Sequence, residues 1–214
     1  MMSSPALEKL LIRAQSLGFI GPGPPTDQLK HAESFVSLVL ASYSDPPTAH
    51  NFLDLGSGGG LPGLVLALAA PDWRGYLLDA QERRTIFLTE AVTELGLSDR
   101  IKVIRERAEV AARNTEYRSQ FSLVVARSFA SPPITAECAV GFLAPGGRLV
   151  VSESPADTEK SLERWPTKGL EQLGFSPVMI NEGELARTAT TELATKVSDR
   201  WPRRTGIPAK RPIW

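Results

Sequence analysis

The stretch Asp54-Leu55-Gly56-Ser57-Gly58-Gly59-Gly60-Leu61-Pro62-Gly63 constrains this chain more than any other. It completes a short strand that begins at Asn51-Phe52-Leu53 and opens a helix over 62–70, with Pro62 in the first turn, where a missing N–H costs nothing. Five glycines within eight residues let the backbone turn tightly and let a ligand approach with no Cβ in the way. The helix start offers unpaired N–H groups to a carboxylate or phosphate.

The rhythm continues beyond this loop. Strands are expected at 75–79, 101–104, 121–126 and 148–152, with helices at 82–95, 136–143 and 158–173. Segments 175–180 and 192–198 supply two last strands. Alternation of this kind implies right-handed crossovers and a mostly parallel sheet covered on both faces. The fold class is therefore α/β, doubly wound and Rossmann-like. Before it, helices at 6–17 and 27–41 flank the turn Gly21-Pro22-Gly23-Pro24-Pro25, and Asp45-Pro46-Pro47 closes the second. The expected organisation is an N-terminal helical cap (1–48), a nucleoside-binding domain (49–199) and a basic tail (200–214).

Asp79 ends the second strand, 21 residues after Gly58, where a carboxylate accepts both hydroxyls of a ribose. Two cofactors fit such a loop. Gly58-Gly59-Gly60-Leu61-Pro62-Gly63 matches the dinucleotide pattern G-x-G-x-x-G. Asp54, two residues before the first glycine, favours S-adenosylmethionine (SAM): it would attract an ammonium and repel a pyrophosphate. The domain then reads as a class I SAM-dependent methyltransferase. Arg107-Ala108-Glu109 follows the third strand, where a loop lies against an adenine edge. Arg127 follows the fourth, at the edge where open α/β sheets bind ligands.

Composition excludes other classes. The longest purely apolar run, Leu64–Ala70, falls far short of the ~20 residues of a membrane helix. Met1-Met2-Ser3-Ser4-Pro5 does not read as a signal peptide, so a cytoplasmic protein is expected. The single Cys138 precludes an internal disulfide and reads as a core residue. His31 and His50 lack metal-ligand spacing to each other or to Cys138, so no metal is expected. The net charge is zero, but Arg200, Arg203, Arg204, Lys210 and Arg211 make residues 200–214 basic with no acid among them. That tail is a candidate phosphate-contacting element or a solvated terminus.

These residues together resemble the bacterial small-subunit rRNA guanine-N7 methyltransferases, the glucose-inhibited division protein B family. The Leu-Pro-Gly ending of the glycine loop carries the likeness, with Leu77-Leu78-Asp79-Ala80-Gln81-Glu82-Arg83-Arg84-Thr85-Ile86-Phe87-Leu88, Arg107-Ala108-Glu109 and Ala126-Arg127-Ser128-Phe129-Ala130-Ser131. The likeness runs from about residue 30 to the end and is densest over 51–151. It implies SAM contacts at Gly56, Leu61, Ala108, Glu109 and Arg127, with Asp79 at the ribose. Asp54, Ser57, Gly58 and Gly60 complete the expected cofactor set. It implies methyl transfer to N7 of a guanine near the decoding region of 16S rRNA, in free RNA or the small subunit. Three blocks depart from the pattern. The family's Asn-Leu-Thr element is replaced by the Gly/Pro stretch at 21–25. In the family's His-x-x-Asp-Ser block, Glu33-Ser34 stands for Asp-Ser, and His31 sits one position too close, leaving Lys30 in the histidine's register. After strand five, Val151-Ser152-Glu153-Ser154 stands where Lys-Gly is usual.

Guanine N7 has a lone pair and no proton to lose, so no general base is required. Catalysis is positioning, with Arg127 the candidate. Ser131-Pro132-Pro133-Ile134 lies too late for an amino-methylating signature and reads as a turn into a helix. RNA contacts are expected from Lys30, Arg200, Arg203, Arg204, Lys210 and Arg211. Trp201 and Trp214 are either stacking partners for bases or apolar anchors for the tail. A monomer is expected. The competing functions are a small-molecule methyltransferase, a non-catalytic SAM-binding RNA or assembly factor, and a dinucleotide oxidoreductase.

Overall fold

A computed structural model describes residues 5–42, 50–154 and 157–214. The turn at Asp45-Pro46-Pro47 lies outside the described residues. Helices α1 (Pro5–Ser16) and α2 (Pro25–Ala41) precede the alternating region. That region runs β1 (Asn51–Leu55), α3 (Gly63–Ala69), β2 (Arg74–Asp79), α4 (Glu82–Glu94), β3 (Ile101–Arg105), α5 (Ala108–Ala111) and β4 (Phe121–Ala126). It continues with α6 (Pro132–Val140), β5 (Leu143–Glu153), α7 (Thr158–Glu163), α8 (Thr167–Leu173), β6 (Met179–Glu182), β7 (Arg187–Glu192) and α9 (Ile207–Lys210).

The strands form one sheet in the order β3-β2-β1-β4-β5-β7-β6. The neighbouring pairs from β3 to β5 are parallel, and β7 is antiparallel to both its neighbours. The order reverses between β1 and β4, which opens a crevice at the carboxyl ends of the central strands. The expected doubly wound, mostly parallel α/β class is what forms.

Helices α1 and α2 bury Leu7, Leu10, Leu11, Ala14, Leu29, Phe35 and Val39 in the same cluster as the inner faces of α3 and α4. Each such side chain contributes about 1.5–3 kcal/mol on burial, so the helical cap shares the core of the sheet. The opposite face of the sheet is filled by α6, α8, Phe121, Phe142, Trp165 and Trp201. Cys138 is buried there, and burial pushes its thiol far above the ordinary range.

The elements differ from the sequence reading chiefly in four places, one of them β5, which begins at Leu143 rather than Arg148 and takes in Pro145-Gly146-Gly147, expected as a turn. The helix expected at 136–143 begins at Pro132, because Pro132 and Pro133 occupy first-turn positions that need no N–H. The helix expected at 158–173 is two, since Pro166 cannot continue α7 and instead precedes α8 as its N-cap. The last strands lie at 179–182 and 187–192 rather than 175–180 and 192–198. Strand β7 reads Arg-Thr-Ala-Thr-Thr-Glu, with β-branched threonines buried against the sheet and little apolar alternation to reveal it.

Candidate functional site

The loop after β1 is tied to β2 by its own amides. The N–H groups of Gly56 and Ser57 both donate to the Leu78 carbonyl, each at 2.9 Å. Gly58 N–H donates to Asp79 Oδ2 at 3.1 Å, and Gln81 N–H to Asp79 Oδ1 at 2.8 Å. Arg84 lies 3.5 Å from Oδ2. Asp79 therefore clamps the glycine loop and still lines the cleft, with lone-pair capacity left for further donors.

Asp54 is buried at the end of β1. Its Oδ2 accepts the Gly63 N–H at 3.0 Å, and Oδ1 is buried with no partner. Burial is the main reason its carboxyl is raised to about 7, partly offset by the Gly63 N–H; Asp79 pushes it further up and Arg127 draws it down. A Cβ on Gly63 would lie 2.5 Å from Oδ2, so this glycine serves Asp54 rather than a ligand.

The unfolded chain gives up the Asp54 proton near pH 4, whereas the folded protein holds it to about pH 7. The stability this residue contributes is present at low pH and lost as pH rises through that window. Asp54→Asn is therefore expected to gain thermal stability relative to the wild type as pH rises from 5 to 8 without ligand. Melting temperatures of both proteins across that range check it. A difference that stays constant, or shrinks, rejects the assignment.

The cleft has two lobes. One, of about 210 Å3, is lined by Gly56, Leu78, Asp79, Gln81, Glu106, Ala108 and Phe129, among others. The other, of about 620 Å3, is lined by Gln28, His31, Arg127, Ser152, Glu153 and Arg164, among others. Ser128 borders both. Arg127 donates to the side-chain oxygen of Gln28 and, at 3.5 Å, to its carbonyl. Glu153 accepts from Trp165 Nε1 at 2.8 Å and from Arg164 at 2.6 Å, so its carboxylate is neutralised at the cleft wall.

The structure brings Gly56, Asp79 and Ala108 to one lobe and Arg127 to the other, with Asp54 beneath the loop and electrostatically coupled to both Asp79 and Arg127. It turns other expected contacts elsewhere. The Ser57 hydroxyl donates to the Asp54 carbonyl at 2.9 Å. Gly60 packs on Leu64, and Leu61 enters the core. Gly58 donates its amide to Asp79. Glu109 accepts the Gly206 N–H at 2.8 Å and faces Arg107 at 3.6 Å, so its side chain holds the C-terminal segment.

Lys30 does not take the histidine's place. It is exposed on the other side of α2, beside Ser34 and Glu184, whereas His31 lines the cleft. Counting from the motif put Lys30 in register, but helical geometry puts Gln28 and His31, three apart, on one face. His31 Nδ1 is buried and unpartnered, and burial, then Arg127, lower its pKa. Ser34, from the same block, accepts the N–H groups of Leu185 and Ala186 at 3.1 Å each and pins the β6–β7 turn.

The tail is not a free arm. Trp201 is buried and donates to the Gln172 carbonyl at 3.1 Å, while the Trp214 ring packs on Gly169. The anchor reading of both tryptophans is the one their contacts favour. Arg203, expected as an RNA contact, donates to buried Glu137 from Nε at 2.8 Å, from Nη2 at 2.6 Å and from its backbone N–H at 2.9 Å, which commits much of its guanidinium to an internal partner. Arg200 lies 4.9 Å over Trp201 and is itself exposed, as are Arg204, Lys210 and Arg211. Sequence reasoning missed Gln28, His31, Phe129 and Glu153 as cleft residues. Only the register of α2 and the positions at the carboxyl ends of β4 and β5 hinted at them.

An acceptor pair for a ribose on Asp79, an unpaired buried carboxylate oxygen on Asp54 and an apolar wall at Ala108 suit a nucleoside bearing an ammonium. Residues 25–176 match the family model described as rRNA small subunit methyltransferase G. The chain is 36% identical over 192 residues to ribosomal RNA small subunit methyltransferase G of Dehalococcoides mccartyi strain CBDB1, covering 87% of this chain and 79% of that one. It is 35% identical over 175 residues to the protein of the same name from Prochlorococcus marinus strain NATL2A, covering 78% and 69%. Among solved structures it resembles a SAM-dependent O-methyltransferase from Thermotoga maritima, with TM-score 0.60, 15% identity and coverage of 88% and 72%. It also resembles PigF with SAH, with TM-score 0.59, 18% identity and coverage of 86% and 58%.

Proposed function

The chain belongs to the rRNA small subunit methyltransferase G family, and on that premise we propose that it transfers a methyl group from SAM to N7 of a guanine in 16S rRNA. The observation that carries this reading is the cleft at the sheet's switch point, with Asp79 in one lobe, Arg127 in the other and buried Asp54 beneath the glycine loop.

SAM, when bound, supplies an electrophilic methyl on a sulfonium. Asp79 accepts the ribose hydroxyls while its bonds to Gly58 and Gln81 keep it fixed. Asp54 Oδ1 balances an ammonium and is drawn toward its charged form by it. Ala108 walls the base. Arg127, held by Gln28, borders the lobe into which a guanine turned out of its stack would enter. His31, kept neutral, offers that base a ring nitrogen. N7 carries no proton, so no residue need accept one. Alignment of nucleophile and methyl supplies the rate.

Arg204, Lys210 and Arg211 remain exposed for phosphates on the RNA. Among the described residues no helix is long and apolar enough to cross a membrane. We place the protein in the cytoplasm, acting as a monomer on the small subunit or its RNA.

The test is methylation of small subunits lacking this modification, with mapping of the product base. N7-methylguanine is expected. The triple variant Arg204→Ala, Lys210→Ala, Arg211→Ala should weaken RNA binding by about tenfold at low salt and flatten its salt dependence, with unchanged SAH affinity. An unmodified guanine despite firm SAH binding refutes the activity. A triple variant with wild-type salt dependence removes the tail from the RNA interface.

A further inference from the structure

One aromatic side chain, Phe129, lines the smaller lobe of the cleft next to Ser128, which borders both lobes. The Phe129 ring lies against Gly56, so close that a Cβ there would be 2.5 Å from its Cδ2. Gly56 is a glycine for this ring as well as for its positive φ of 76°. The lobe holding Asp79 has about 210 Å3, whereas sites for ligands of this size run from about 300 Å3 upward. A nucleoside whose amino-acid arm runs from Asp79 over Gly56 therefore meets the ring.

The chain on either side of the ring is anchored. Ser128 holds φ at 54°, in the left-handed region that a residue with a Cβ occupies at a cost. On one side Arg127 is tied to Gln28. On the other, Thr135 donates its hydroxyl to the Ala130 carbonyl at 3.1 Å and its N–H to Ser131 at 2.9 Å. Residues 128 and 129 are the joint between those anchors, and the ring is only half-buried. Its contact with Gly56 is apolar, so displacing it leaves no charged group unpaired there.

We propose that Phe129 gates the cofactor cleft: its ring closes the passage over Gly56, swings aside to admit the ligand, and packs against it afterwards. The proposal rests on the cleft being the SAM site. SAH association and dissociation, followed by stopped-flow, test it on the wild type, Phe129→Ala and Phe129→Leu. Removing the ring is expected to raise the association rate about tenfold, as for a cleft open only a tenth of the time. The dissociation rate rises more, so affinity falls. Phe129→Leu lies between, and serves where the alanine variant does not fold. Tryptophan at this position, from Phe129→Trp, should change its emission saturably with SAH. An unchanged association rate with faster dissociation makes Phe129 a wall and overturns the gate, as does no change in either rate. A wild type that fails to bind SAH in calorimetry overturns the cleft assignment itself, and the gate with it.

Discussion

Asp79→Ala is expected to weaken SAH binding at least about a hundredfold, since each hydrogen bond from a ribose hydroxyl to a carboxylate contributes about 1.5–3 kcal/mol and two are lost. A second loss arises within the protein. The Gly58 and Gln81 amides that end on Asp79 would lose their acceptor in a largely buried place, at a cost of about 1–3 kcal/mol each unless water reaches them. The glycine loop would then be held to β2 only through the Leu78 carbonyl. Asp79→Asn separates the two effects: its amide oxygen still accepts one bond, so an intermediate loss of about tenfold is expected. Calorimetric titration with SAH measures the affinity, and a melting curve measures the structural part. An Asp79→Ala protein that binds SAH as tightly as the wild type would falsify the placement of the ribose.

The central sheet was legible because its signals are local. Asn51–Leu55 and Phe121–Ala126 are apolar runs that become strands with those bounds. The glycine loop and Asp79 declare a ligand crevice by residue type and spacing. What stayed hidden depended on partners far along the chain. Five glycines read as one ligand cradle, yet Gly59 faces Ala14 and Ile20 of the helical cap, Gly60 faces Leu64, and Gly63 faces Asp54. Each needs its missing Cβ for a protein neighbour, and no periodicity announces that. Glu109 is expected at the adenine edge through its backbone, and nothing local announces that its side chain ends on Gly206, a residue 97 positions away. The Lys30 register failed for a simpler reason: motif counting follows the chain, whereas exposure follows the helix, and one residue of slip turns a side chain through about 100°.

The basic tail shows the same limit with the largest energetic consequence. Arg203→Ala is expected to destabilise the protein by about 3–5 kcal/mol, because removing one partner of a buried ion pair strands the other charge. Glu137 is 0% exposed, and Arg203 supplies it with two side-chain donors besides the 203 amide. Replacing both residues with apolar ones of similar size, as in Glu137→Leu with Arg203→Met, should recover most of that loss, since the desolvation of two charges is then also removed. Urea denaturation of the single and double variants tests this. A single variant as stable as the wild type would return Arg203 to the surface and to the RNA. The tail's other cations behave differently: Arg204, Lys210 and Arg211 are exposed, and their triple replacement should shift stability by no more than about 0.5 kcal/mol per site. The anchor also reaches the cleft. Arg203 lies three residues before Gly206, whose amide holds Glu109, and Ala108 beside it walls the cofactor lobe. Loosening the tail should therefore weaken SAH binding in Arg203→Ala, whereas the triple variant, with its anchor intact, loses only RNA.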